Sequence, residues 1–176
     1  MTIVSSYAQS ALTFGLQIGS GYHGEVFRLI PGSKVIKLYR SEGEFLAPTS
    51  KEGLALRNAE QEHTIASDLF GNGISAPKSF GIYSIRLWRI NHPWELVHPL
   101  HLTGWLRTYI PGKCGAELSL KQELHLEKLV GIELHKARDV GYRFPDDAWS
   151  SKNVILQPNG RIVLIDFLYW KKQVNQ

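Results

Sequence analysis

Several clusters of residues in this chain have types and spacings suited to phosphate and metal chemistry. The first is Gly19-Ser20-Gly21-Tyr22-His23-Gly24-Glu25-Val26, a complete G-x-G-x-x-G-x-V pattern. Glycines let a backbone approach phosphate oxygens and present N–H groups with no Cβ in the way. The element after the pattern separates its two uses. A dinucleotide site runs from a strand into a helix. Here Val26-Phe27-Arg28-Leu29-Ile30 continues as a strand, which suits a loop folded over the phosphates of ATP. A plain glycine hairpin would carry the same residues.

Lys37 closes Val35-Ile36-Lys37, a strand and a turn beyond Gly24. A cation there can clamp the α and β phosphates of ATP. Without the neighbouring glycines it would read as a solvated strand lysine. Glu62 lies in a stretch of helical period, with Ile65 and Leu69 following it on the apolar side. It can therefore turn toward Lys37 and hold the amine in place. Glu60 and Glu52 compete for that role.

Near the other end of the chain, Asn153 opens Val154-Ile155-Leu156, and Asp166 closes Ile162-Val163-Leu164-Ile165. A hard cation such as Mg²⁺ takes oxygen ligands. An Asn at the mouth of one strand and an Asp after the next can bring two oxygens together across a hairpin. A carboxylate shortly before the Asn can orient an attacking hydroxyl, and Asp146 and Asp147 both stand there. Both could equally be turn residues after Pro145.

These groups need elements to position them. Leu12 to Ile18, Glu25 to Ile30 and Val35 to Tyr39 read as strands, with Pro31-Gly32-Ser33 as a turn. Arg40 to Lys51 reads as a polar connection. Gly53 to Phe70 reads as an amphipathic helix stopped by Gly71-Asn72-Gly73. Strands are expected near Ser79 to Leu87 and Leu100 to Tyr109, with a loop at Asn91-His92-Pro93 and His98-Pro99 between them. Ser119 to Ala137 reads as a second helix. A hairpin then pairs Val154 to Leu156 with Arg161 to Phe167 around Gln157-Pro158-Asn159-Gly160. Met1 to Phe14 is Ser-rich, has no basic start before an apolar block, and suits a flexible lead-in rather than a secretory signal.

Bulk properties narrow the function classes. At 176 residues with 43% hydrophobic content the chain suits one globular domain. No apolar run approaches the roughly 20 residues of a membrane helix. A net charge of +4 without a dense Lys/Arg block argues against nucleic acid as a partner and leaves room for a phosphorylated ligand. The single cysteine, Cys114, cannot form an internal disulfide. The histidines His92, His98, His101, His125 and His135 lack the tight spacing zinc prefers. Trp88, Trp94, Trp105, Trp149 and Trp170 read as core or interface residues, with Trp94 a candidate partner contact.

From the Gly19 loop to Asp166-Phe167, the chain resembles the protein-kinase superfamily. It is most similar to minimal kinase effectors that bacterial pathogens inject into host cells, including a type that phosphorylates the eukaryotic ninety-kilodalton heat-shock chaperone. The resemblance implies an α+β, minimal bilobal kinase-like fold. Residues 12–109 would form the N-lobe, with a five-stranded sheet and a helix, and residues 110–176 a reduced C-lobe, with a hinge near Arg107 to Gly112. It assigns Gly19, Ser20, Gly21, Tyr22, His23, Gly24, Val26, Lys37 and Glu62 to ATP, and Asn153 and Asp166 to Mg²⁺. It further implies a monomeric Ser/Thr protein kinase acting on a host protein in the host cytosol.

Two departures qualify the resemblance. In the kinase pattern H-R-D-x-x-x-x-N the Asp precedes the Asn by five positions, where this chain has Ala148. Asp147 needs a smaller insertion than Asp146 and is favoured as the catalytic carboxylate. D-F-G has become Asp166-Phe167-Leu168, and ten residues follow Asp166. The expectation is a kinase without an activation loop, intrinsically competent or ordered by its partner. Two alternatives stay open: a small atypical kinase of the RIO or lipopolysaccharide-kinase sort, and a nucleotide-binding pseudokinase that serves as a docking module.

Overall fold

The computed structural model describes residues 2–5, 11–21, 23–39, 48–87, 100–114 and 118–173. Tyr22, most of the Arg40–Lys51 connection, the Asn91-His92-Pro93 and His98-Pro99 loop, Trp88 and Trp94 lie outside them. The chain divides into two compact units, Met1–His63 with Ser79–Tyr109, and Thr64–Lys78 with Ile110–Gln176. The segment Thr64–Lys78, assigned to the N-lobe from sequence, groups instead with the second unit.

The first unit is built on six antiparallel strands: β1 (Thr2–Ser5), β2 (Ala11–Gly21), β3 (Gly24–Ile30), β4 (Lys34–Tyr39), β5 (Ser79–Leu87) and β6 (Leu100–Thr108). They close into a barrel in the order β1-β2-β3-β4-β6-β5. Five of these strands are legible in the sequence. The sixth corrects two expectations: the N-terminal stretch is not only a lead-in, and the sheet has six strands rather than five. β1 pairs with β2 (Ile3↔Leu12) and with β5 (Val4↔Arg86), so it supplies both free edges with a partner. Ser-rich composition masks such a strand, because backbone pairing carries it.

Side-chain alternation along β4 divides labour between its faces. Ile36 and Leu38 join Leu29, Ile85 and Leu106 in an apolar core, with Phe14, Phe27, Tyr83 and Leu102 against it. The alternate residues Val35, Lys37 and Tyr39 are buried too, on the opposite face. Helix α1 (Pro48–Gly71) begins earlier than the sequence suggests. In the first unit it buries Ala55, Ala59 and Glu62 at helical spacing.

In the second unit α1 continues with Ile65, Ala66 and Leu69 buried. It ends in a Schellman motif: Gly73 takes φ +74°, its N–H bonds the Phe70 carbonyl at 3.1 Å, and the Ile74 N–H bonds Leu69 at 3.0 Å. Helix α2 (Leu120–Asp139) buries Leu126, Val130, Leu134 and Ala137 along one stripe. Ser119 precedes it, and its backbone N–H donates to the Gln122 side chain at 3.1 Å. Three strands, β7 (Lys113–Cys114), β9 (Val154–Leu156) and β10 (Ile162–Leu164), form a sheet in the order β10-β9-β7. A two-stranded ribbon pairs β8 (Tyr142–Arg143) with β11 (Lys171–Lys172). β7, β8 and β11 are too short to leave a period in the sequence.

Candidate nucleotide and metal site

In the first unit the glycine pattern forms the end of the β2–β3 hairpin. Gly19, Ser20 and Gly21 stand opposite Val26, Glu25 and Gly24. His23 is at the turn, and Tyr22 lies outside the described residues. The glycines are there for different reasons. A Cβ on Gly24 would sit 2.2 Å from the Leu38 carbonyl oxygen, so packing on β4 alone requires glycine. A Cβ on Gly19 would meet only the Val26 side chain at 3.7 Å, an ordinary contact. Packing does not explain that glycine, whereas close approach of a phosphate would.

The register carries the pattern to the lysine. Gly19 faces Val26, Val26 faces Lys37, and Lys37 faces Trp105. Lys37 Nζ donates to both carboxylate oxygens of Glu62 at 2.8 Å. Glu62 is 0% exposed and Lys37 8%. Among the sequence candidates the structure thus joins Glu62 to Lys37; Glu60 is exposed, and the Glu52 side chain is not described. A buried carboxylate is tolerated only when charge and hydrogen bonds compensate its lost hydration.

Sequence reasoning missed the groups around this pair. The Tyr39 hydroxyl donates to Glu62 Oε2. Its ring also lies 5.2 Å from Lys37 Nζ, in a cation–π arrangement. One residue along α1, His63 Nδ1 meets Ser79 Oγ at 2.5 Å, and Ser79 accepts the Trp105 indole N–H at 2.6 Å. The signal for Tyr39 was present: a Lys-x-Tyr spacing on a strand puts both side chains on one face.

In the second unit the β9–β10 ladder sets the candidate metal ligands. Leu164 pairs with Val154, and one step beyond, the Ile165 N–H bonds the Asn153 carbonyl at 2.8 Å. Asn153 and Asp166 therefore leave the same end of one hairpin. Asp166 is exposed and holds φ +69°, the only non-glycine residue at positive φ among those described. Left-handed backbone is disfavoured for side-chain-bearing residues, though Asp tolerates it best alongside Asn. The flanking residues hold the turn. Leu164 and Phe167 are buried, Phe167 sits edge-on to Trp170 at 5.3 Å, and the Trp170 N–H bonds the Phe167 carbonyl.

Asp146 and Asp147 lie in a 3-10 turn, Asp146–Trp149, and both are exposed. The Asn153 side-chain N–H donates to the Asp147 carbonyl at 3.2 Å. That bond uses the nitrogen end of the amide and does not engage Oδ1. It also ties Asn153 to Asp147 rather than to Asp146. A second 3-10 turn, Ser151–Asn153, takes up the extra residues between this carboxylate pair and the Asn.

Each unit offers one kind of donor. Asn153 and Asp166 offer hard oxygens suited to Mg²⁺, and Lys37 offers a held cation suited to phosphate. The described residues contain no cluster of three His, Cys, Asp or Glu side chains suited to a metal. Their helices include none long and apolar enough to cross a membrane.

Two polar anchors, one buried at Glu133 and one partly exposed at Asp68, both missed in the sequence, tie segments of the second unit together. Glu133 of α2 accepts the Ser75 backbone N–H at 2.8 Å and the Lys136 amine at 2.6 Å. The Ser75 carbonyl in turn accepts from Leu164 of β10 at 2.8 Å. Asp68 accepts from Tyr142 and from Lys172, each at 2.6 Å. The Lys172 and Tyr142 hydrogen bonds hold the Asp68 carboxyl below its ordinary value. Burial first, then the bond to Asp68, pushes the Tyr142 phenol up.

Barrel, paired lysine and glutamate, and the hairpin with its Asn and Asp together have the architecture of a distantly kinase-like fold. Among solved structures, the chain aligns with the 2.2 Å crystal structure of WbdD at a TM-score of 0.61 and 14% identity, over 94% of this chain and 34% of WbdD. It aligns with a co-crystal structure of WbdD and the kinase inhibitor LY294002 at a TM-score of 0.59 and 13% identity, over 93% of this chain and 34% of that one. The chain thus spans about a third of the length of these proteins. At such identities the likeness is one of fold. No protein-family model and no curated protein matches the sequence.

Proposed function

We propose that this chain is a Mg²⁺- and ATP-dependent protein kinase that phosphorylates Ser or Thr hydroxyls. Lys37, held by Glu62, engages the α and β phosphates. The hairpin tip from Gly19 to Val26, with Tyr22 and His23, covers the phosphates. Asn153 and Asp166 hold Mg²⁺, and Asp147, with Asp146 as the competing carboxylate, orients the acceptor hydroxyl. The buried Lys37–Glu62 pair carries this reading. Such a pair gains little stability over an apolar one, while a cation held at a fixed point serves phosphoryl transfer directly. The acceptor class rests on the resemblance to injected minimal kinases, and so do delivery into a host cytosol, a monomeric state and a host protein substrate such as the ninety-kilodalton heat-shock chaperone.

The test is a phosphoproteome of eukaryotic cells expressing the wild type against cells expressing Asp166→Ala. New Ser/Thr phosphosites confined to the wild type support the reading. Identical phosphoproteomes reject the protein acceptor.

A nucleotide-binding docking module is the second reading. The displaced spacing of Asp146 and Asp147 from Asn153 favours it. It predicts ATP binding by the purified protein with no transfer to any protein.

A further inference from the structure

We propose that Tyr39 is a positioning residue that fixes Glu62, and through Glu62 the Lys37 amine; the catalytic consequence rests on the kinase reading, but the positioning itself does not. Tyr39 lies two residues after Lys37 on β4, so both side chains emerge from one face of the strand. Both meet the same carboxylate. Lys37 bonds each oxygen of Glu62, and the Tyr39 hydroxyl bonds Oε2. Tyr39 is 1% exposed, so water does not compete for that hydroxyl.

The division of donors has a consequence. A lysine that engages phosphates shares its three N–H donors between ligand and glutamate. If Lys37 were the sole partner of Glu62, each ligand contact would loosen the carboxylate that holds it. The phenol keeps a bond to Glu62 that no ligand draws on. Its ring adds an electrostatic face for the Lys37 charge. A second clasp acts one residue further along α1, where His63 meets Ser79 and Ser79 takes the Trp105 indole. Trp105 is itself the cross-strand neighbour of Lys37. Two consecutive residues of α1 are therefore tied to the barrel by side-chain hydrogen bonds that do not involve the Lys37 amine.

The decisive experiment is a double-mutant cycle read by chemical labelling of Lys37 in the intact chain. Acetic anhydride modifies accessible amines, and mass spectrometry compares Lys37 with the exposed Lys121 as internal reference. Tyr39→Phe keeps the ring and removes only the hydroxyl. It should speed Lys37 labelling about three- to tenfold, the ratio one lost hydrogen bond allows. Glu62→Gln should speed it further, and adding Tyr39→Phe to Glu62→Gln should change nothing more, because the hydroxyl acts through the carboxylate. Unchanged labelling in Tyr39→Phe, or effects that multiply in the double variant, overturn the proposal. If Glu62→Gln does not fold, wild type against Tyr39→Phe alone decides by the same threshold. In an active enzyme, Tyr39→Phe should lower kcat about three- to tenfold and leave KM for ATP nearly unchanged, since positioning acts at the transition state. A coupled labelling cycle in a protein that transfers no phosphate would keep the positioning role and reject the kinase reading.

Discussion

The two groups of candidate residues are held by opposite means. In the first unit Lys37 and Glu62 are buried, and side chains fix side chains: a carboxylate meets an amine and a phenol, and a histidine meets a serine. In the second unit Asn153, Asp146, Asp147 and Asp166 are at least partly exposed, and backbone fixes them. A cross-hairpin bond, two 3-10 turns and a positive φ locked by buried Phe167 set their directions. Burial suits a cation that must keep one position. Exposure suits oxygens that, in the proposed reading, would bind a hydrated metal and an incoming hydroxyl. Mutations of the buried Lys37–Glu62 pair should therefore disturb stability and activity together, while those of the exposed carboxylates should separate them.

The largest separation is expected at Asp166. Asp166→Gly removes the carboxylate while favouring the φ +69° backbone. Phosphate transfer should fall by at least about 100-fold, the scale of losing a preorganised charge-stabilising group. Thermal unfolding should leave stability within about 1 kcal/mol of wild type. A large loss of stability would place Asp166 in the architecture and blur the contrast.

Lys37→Met should do the opposite and damage both. It strands Glu62, 0% exposed, without its counter-charge. Denaturant unfolding should show a loss of about 3–5 kcal/mol. Adding Glu62→Leu should restore most of that stability but no transfer, because an apolar pair replaces an ionic one well in packing and not in chemistry. Recovery of transfer in the double variant would remove Lys37 from the mechanism.

Within the glycine hairpin the contrast repeats on a smaller scale. Gly24→Ala drives a methyl against the Leu38 carbonyl and should cost about 1–3 kcal/mol in unfolding experiments. Gly19→Ala meets only an ordinary contact and should leave stability within about 1 kcal/mol of wild type. If phosphates approach there, its effect appears in ATP affinity instead. Calorimetric titration with ATP separates the two.

The Lys37–Glu62 pairing and the hairpin that carries Asn153 and Asp166 were legible in the sequence because residue type goes with spacing along strands and a helix there. The strand β1, the Glu133–Ser75 anchor and the other partners of Glu62 were not. Each depends on a contact between distant segments that no local period records. Gly24 was legible as part of a phosphate pattern, yet its immediate cause is the backbone of β4.

The smallest expected effect concerns pH. Asp68 is held below the unfolded carboxyl value, so its contribution to stability is present above about pH 4 and fades as pH falls through its folded value. The pairing is partly solvated, so the contribution should be about 1 kcal/mol or less. Asp68→Asn should flatten the acid limb of stability against pH. The raised Tyr142 phenol acts on the other side: its neutral form contributes below about pH 10, and the contribution fades as pH rises beyond it. An unchanged acid limb in Asp68→Asn would show that the Lys172 and Tyr142 bonds add nothing to the hold on β8 and β11.

The central claim is that the buried lysine–glutamate pair and the exposed Asn–Asp pair serve one reaction, transfer of the γ-phosphate of ATP. The most direct test is incubation of the purified protein with γ-labelled ATP and candidate host proteins, with and without Mg²⁺. Label should move to protein only with Mg²⁺ and only in the wild type, and both Lys37→Met with Glu62→Leu and Asp166→Ala should abolish it. Undiminished transfer by either variant, or no Mg²⁺-dependent transfer of label by the wild type, would contradict the account.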